Sequence, residues 1–217
     1  MSSTTTLAQV FSISTALVAG GGIASTSLFD VPEWQSQPAS RSLPMVRWFF
    51  SRGSHIFPQA AGLASAGFVY LAINALPPNQ LSQIFTYALQ GGKVTGYLAA
   101  AILSISIAPV TAFLMIPTNF ELIKMNEQLG GARSEASPKQ GGGRPSGNSA
   151  EDSVGGKGQA AEFTDLSRPQ GETAKQSSAE EDRKVRELLS TFAQLNGLRA
   201  ALLTAGGIVG LWTALAA

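Results

Sequence analysis

The sequence predicts an all-α integral membrane protein: a four-helix bundle with a long disordered polar loop between its third and fourth helices. Three observations carry this reading. Residues 1–29, 53–92, 94–120 and 200–217 contain no Asp, Glu, Lys or Arg. Each holds a run long enough to cross a bilayer, which takes ~20 residues at ~1.5 Å rise per residue. Only 13% of the 217 residues are charged, whereas soluble domains average ~25%. The charges lie between the apolar stretches and so mark the loops.

The first span is expected over about 7–29. Ala16, Gly20 and Ala24 recur in it at four-residue spacing, a pattern that lets helix backbones approach closely in lipid. A cleaved signal peptide is the rival reading, but no Lys or Arg precedes Arg41 to form the usual positive n-region. Residues 30–52 read as a first loop, with Pro32, Pro38, Pro44, Trp34 and Trp48; Trp near span ends commonly anchors at the interface. The second span is expected over about 54–76, with Ala60/Ala64 and Gly62/Ala66 as further small-residue pairs. Pro77-Pro78 stops it, because proline lacks the N–H that continues a helix.

A short loop, 77–93, leads to the third span at about 94–119. Pro109 inside it removes the hydrogen bond to the Ile105 carbonyl and predicts a kink. Ser106 and Thr111 are placed to satisfy backbone groups nearby. Residues 128–180, rich in Gly, Ser, Gln and Pro with charges of both signs, read as a disordered cytosolic loop, too poor in apolar groups to offset its ordering entropy. The run Gly141-Gly142-Gly143 is no P-loop, since no Gly-Lys-Ser/Thr follows. From about Glu180 the pattern turns helical and leads into the fourth span, about 197–216, with a Gly206/Gly210 pair.

Composition excludes several function classes. The chain has no cysteine and one histidine. Thiolate metal sites, Fe–S clusters and thiol redox chemistry are excluded, and so, from this chain alone, are bis-His haem and two-His-one-carboxylate iron sites. No metal or bound cofactor is expected. The net charge of +1 says nothing about nucleic acid, and no basic stripe with interleaved aromatics points to it, so no nucleic-acid partner is expected.

Basic residues set the expected orientation. Loops one and three carry 14 of the 15 Lys and Arg residues, which assigns both loops to the cytosol and both termini to the lumen. The start of span two, the end of span three and the start of span four then share one membrane face. They bring Arg52, His55, Thr118, Asn119, Lys124, Asn196 and Arg199 to it. Asn196 and Arg199, three residues apart, share a helix face. Such a ring of cationic and amide groups over an apolar bundle suits a lipophilic substrate with phenol or carbonyl oxygens. Each residue also has an ordinary reading: snorkelling for Arg52, Lys124 and Arg199, a helix cap for Asn119, a helix start for His55. Tyr70, Tyr87 and Tyr97 read as interface anchors or packing.

The order of motifs resembles a known family. Trp48, Arg52-Gly53, Pro58, Ala64 and Phe68-x-Tyr70-Leu71-Ala72 come first. Tyr97-Leu98-Ala99-Ala100, Ile107-Ala108-Pro109-x-Thr111, Met115-x-Pro117-Thr118-Asn119 and Leu122 follow. Leu188-Leu189, Phe192, Leu195-Asn196-Gly197-Leu198-Arg199-Ala200, Leu202, Gly207 and Gly210-Leu211 complete the pattern. The chain resembles the fungal anthrone oxygenase-like family of four-span membrane proteins; Phe192 stands where the family pattern has Trp.

The resemblance implies polyketide tailoring: conversion of an aromatic anthrone to an anthraquinone with O₂ and no bound cofactor. It also implies residence in the endoplasmic reticulum. An anthrone is a carbon acid whose enolate can reduce O₂ directly. The protein then needs a base, oxyanion stabilisation and a dry slot. On that chemistry His55 is the candidate base, an imidazole being the side chain suited to proton transfer near neutrality. Arg199 and Arg52 stabilise enolate and peroxide oxygens. Asn119, Asn196, Thr118 and Trp48 contact the substrate. A homo-oligomer or an assembly with pathway enzymes stays open. The alternative function is a non-catalytic scaffold or product-handling protein, in which the long loop is the working part. A small transporter is a third reading, weakened by the lack of Asp or Glu within the spans.

Overall fold

The computed structural model describes residues 2–136 and 167–216. Among these the chain is all-α, without a strand. The helices are α1 (Ser3–Ser25), α2 (Val31–Ser36), α3 (Ala39–Asn74), α4 (Ile84–Gln90), α5 (Gly92–Ile105), α6 (Ile107–Pro109), α7 (Ile116–Gln128) and α8 (Ala179–Leu215). Wide π turns at Thr26–Asp30 and Val110–Met115 join α1 to α2 and α6 to α7, and a 3₁₀ turn at Leu81–Gln83 precedes α4. Four continuous helical stretches are long and apolar enough to cross a membrane: Ser3–Ser36, Ala39–Asn74, Gly92–Gln128 and Ala179–Leu215.

Several expected boundaries are corrected. Hydropathy and charge locate the bilayer edge, but a helix need not end there. Residues 30–52 are mostly helical rather than a loop, and α3 begins at Ala39 instead of near Ser54. The break before it belongs to Pro38: Gln37 is extended, φ −98°, ψ 154°, as a residue before proline must be. The 77–93 loop contains α4. The third span continues past Asn119 to Gln128, because Pro117 lies in the first turn of α7, where a missing N–H costs no helical bond. Around Pro109 the helix changes register into the π turn, and Ser106 Oγ and Thr111 Oγ1 donate to the Leu103 and Ile107 carbonyls at 2.6 and 2.7 Å. The long loop is non-helical over 129–136 and 167–178; the disorder expected at its centre, 137–166, lies outside the described residues.

Two compact bodies make up the chain. The first comprises residues 1–25, 57–111 and 196–217. Its core is built from small residues, with Ala16, Ala64 and Ala100 closed to solvent beside Phe68 and Leu203. Large apolar side chains face outward instead, among them Leu7, Val18, Ile102 and Trp212. This inversion of the soluble pattern fits a bilayer, where close backbone packing drives association. A Cβ on Gly206 would lie 2.6 Å from Ser104 Oγ and 3.0 Å from the Ala100 carbonyl, so the Gly206/Gly210 pair packs inside this body. Gly62 faces open space, and Gly67 is the close-contact glycine of that helix, against Ser12. Ser65 Oγ donates across the core to the Ala101 carbonyl at 3.0 Å. Tyr97, buried, accepts from Gln9 Nε2 at 2.8 Å and serves packing rather than anchoring.

The second body comprises residues 26–56 and 112–195. Its core joins Trp34, Phe49, Phe50 and Phe192 in an aromatic cluster with centroids 5.3–6.5 Å apart, near Leu43, Leu122 and Leu189. Phe192, the departure from the family pattern, is therefore a packing residue. The α3 N-terminus is capped from the start of α8: Asp182 Oδ1 accepts from Ala39 N at 2.7 Å, and Ser177 Oγ accepts from Ser40 N at 3.1 Å. Helix α8 has its own reciprocal cap, in which Ser178 N donates to Glu181 Oε2 at 2.7 Å and Glu181 N to Ser178 Oγ at 3.3 Å.

Candidate functional site

Trp48, Arg52 and His55 follow at i, i+4 and i+7 on α3 and so form one stripe of the helix. The Arg52 guanidinium lies over the Trp48 ring, 3.8 Å from its centroid, a cation–π contact. Its Nη1 donates to Ser51 Oγ at 3.2 Å and its Nη2 to the Ser167 carbonyl at 3.3 Å. Trp48 Nε1 donates to the same carbonyl at 2.9 Å. The cation is thus held in a plane rather than left to swing.

His55 is half-buried one turn further on. Its Nδ1 lies 3.0 Å from the Ser51 carbonyl and 3.1 Å from Ser54 Oγ. A carbonyl can only accept, so this contact places a proton on Nδ1; in the neutral ring the lone pair is then on Nε2. A neutral imidazole in that tautomer is a base at Nε2.

Thr118 and Asn119 sit in the first turn of α7, both half-buried. Asn119 Oδ1 is closed to solvent and has no hydrogen-bond donor among the described residues. An unfilled buried acceptor costs free energy unless something donates to it. Asn119 is not the helix end cap that sequence allowed, since α7 runs nine residues beyond it.

Asn196 and Arg199 belong to the first body. They are 2% and 6% exposed, deeper than a snorkelling residue. Arg199 Nη1 donates to Asn196 Oδ1 at 2.8 Å, and Asn196 Nδ2 reaches the Ile23 carbonyl at 3.5 Å. Asn196 is therefore engaged with protein groups through both ends of its amide.

The seven residues singled out in the sequence thus fall into two sets. Trp48, Arg52, His55, Thr118 and Asn119 lie in the second body; Asn196 and Arg199 lie in the first. Sequence reasoning missed two contributors. The Ser167 carbonyl is a backbone group, invisible to side-chain patterns. Arg47, read only as a topological charge, is 2% exposed within the second body; its spacing from Phe50 and Leu43 on α3 was the available signal. Among the described residues, no three His, Cys, Asp or Glu side chains gather as a metal would require.

A family model described as anthrone oxygenase matches residues 47–209. The chain belongs to the anthrone oxygenase family. The match takes in most of the chain and all seven residues of both sets. Among curated proteins and among solved structures there is no match. Membership of the anthrone oxygenase family supports an oxygenase role, and four membrane-length helices describe a multi-pass membrane protein.

Proposed function

We propose that this protein is a membrane oxygenase that converts an aromatic polyketide anthrone to the anthraquinone, using O₂ and no bound cofactor. The family match over residues 47–209 carries this reading. The His55 lone pair at Nε2 and the Arg52 cation on the same helix face support it. We further infer residence in the endoplasmic reticulum from the family match, and loops one and three cytosolic with the termini lumenal from the distribution of basic residues.

The reaction balances as anthrone plus O₂ giving anthraquinone plus water. His55 Nε2 removes one proton from the anthrone methylene, and the electron pair moves onto the ring system and the carbonyl oxygen. Arg52 stabilises that oxyanion. The enolate passes one electron to O₂, and the radical pair couples to form a C–O bond. The imidazolium returns its proton to the peroxide. His55 then takes the remaining C–H proton, the O–O bond breaks, the C=O bond forms, and hydroxide leaves as water after recovering the proton. Asn119 Oδ1 accepts from a substrate phenol, and Trp48 and Thr118 border the rings.

The test is turnover of emodin anthrone by detergent-solubilised protein under air. Anthrones oxidise unaided, so the comparison is with boiled protein. The proposal expects a rate well above that control and a loss of about 10²–10⁴ in His55→Ala, the usual worth of a general base. Full turnover in His55→Ala would remove His55 as the base.

A further inference from the structure

We propose that the return segment of the long loop, Ser167–Ser177, is a working part of the substrate site: the Ser167 backbone carbonyl sets the position of the Arg52 guanidinium and the Trp48 ring. The inference rests on the reading of Arg52 as the oxyanion cation. It departs from the expectation that residues 128–180 form a disordered loop.

The argument begins at Pro44. Proline has no N–H to give the carbonyl four residues earlier, so Pro44 leaves the Ser40 carbonyl without its helical donor. Thr173 N supplies the donor instead, at 2.8 Å. The same residue of α3 binds the segment a second time, through Ser40 N to Ser177 Oγ at 3.1 Å. On its other side the segment is tied to the end of α7 and the residues after it. Lys175 N donates to the Leu129 carbonyl at 2.9 Å, and Ala132 N to Gln170 Oε1 at 2.6 Å. Thr173 is 3% exposed. Glu135 N donates to the Arg168 carbonyl at 2.9 Å, and Arg168 Nε to Glu135 Oε2 at 2.7 Å. Residues of such polar composition become ordered where their backbone groups find defined partners.

These anchors fix Ser167, and Ser167 fixes the site. Its single carbonyl, with two lone pairs, accepts from both Trp48 Nε1 and Arg52 Nη2. Arg52 is thereby held from above by a carbonyl and from below by an indole face. A cation aimed before the substrate arrives needs no reorganisation when negative charge develops. Ser167 acts as a positioning residue through its backbone, which explains why no side-chain motif reports it.

The experiment inserts Gly-Gly-Ser between Ser167 and Arg168 in the full-length protein, which uncouples Ser167 from its anchors at Arg168, Gln170, Thr173 and Ser177. Four quantities are read: kcat and KM for emodin anthrone, binding of emodin itself, and the melting temperature. The expected result is a fall in kcat/KM of about tenfold, as for a slightly misplaced catalytic group, at an unchanged melting temperature. In an Arg52→Ala background the insertion should cause no further loss. An insertion without effect on kcat/KM, or one whose effect multiplies with that of Arg52→Ala, would overturn the proposal while leaving the oxygenase reading standing. If the wild type neither binds emodin nor accelerates oxidation, both fall together. Should the insertion prevent folding, Trp48→Phe keeps the ring beneath Arg52 and removes the Nε1 donor. A smaller loss, again absent beside Arg52→Ala, is expected there, and wild-type kinetics would overturn the proposal.

Discussion

Arg199 donates to Asn196 across 2.8 Å, one helical turn away, and both side chains are nearly closed to the surface. A buried guanidinium is costly unless its donors are matched. Asn196 supplies one acceptor, and the i, i+3 spacing on α8 makes the encounter automatic.

That pairing predicts an asymmetric mutational response. Asn196→Leu leaves a buried cation with one acceptor fewer and should lower stability by about 1.5–3 kcal/mol. Asn196→Asp keeps the acceptor and should retain most of it. Thermal unfolding in detergent distinguishes them; equal melting of Asn196→Leu and wild type would show that the bond contributes nothing.

The small-residue core predicts a second contrast. Gly206→Leu drives its side chain into Ser104 and the Ala100 carbonyl and should destabilise by about 1–3 kcal/mol or more, as overpacking does. Gly62→Ala meets nothing within 4 Å and should stay within about 0.5 kcal/mol of wild type. Retained heat stability of Gly206→Leu would contradict the packing.

How much of this was legible in the sequence depends on the kind of signal. Charge-free runs gave the four spans, because lipid leaves backbone groups only themselves to bond with. The close packing of Gly20 against Thr204 and of Gly206 against Ser104 and Ala100 was legible from their four-residue rows. The true helix ends were not. Arg41, Arg47 and Arg52 mark a polar boundary, yet α3 starts at Ala39, where Pro38 and the Asp182 cap set it. The Trp48–Arg52–His55 stripe follows from spacing alone. Its anchoring by Ser167, 119 residues along the chain from Trp48, does not, since that depends on a carbonyl freed by Pro44 and filled from the loop.

Asn119 predicts substrate selectivity. Its Oδ1 lacks a donor among the described residues, so on the proposed function Asn119→Leu should raise KM for a phenol-bearing anthrone about five- to tenfold, one hydrogen bond's worth. KM for unsubstituted anthrone should hardly change. Equal effects on both substrates would remove Asn119 from phenol recognition.

Topology is open to direct labelling because the chain contains no cysteine. Single substitutions Ser2→Cys and Glu135→Cys should react with an impermeant maleimide from opposite sides of sealed microsomes, Glu135→Cys from the cytosolic side. Labelling of both from one side would contradict the proposed orientation.

The central claim is that this chain itself catalyses oxygen insertion. The most direct measurement is the oxidation of emodin anthrone by purified protein under ¹⁸O₂ in chelator-treated buffer, with the quinone analysed by mass. The account predicts a protein-dependent rate far above the boiled control, with one ¹⁸O atom in the new carbonyl and the other in water. A rate equal to that control, or one that requires an added metal or flavin, would contradict it.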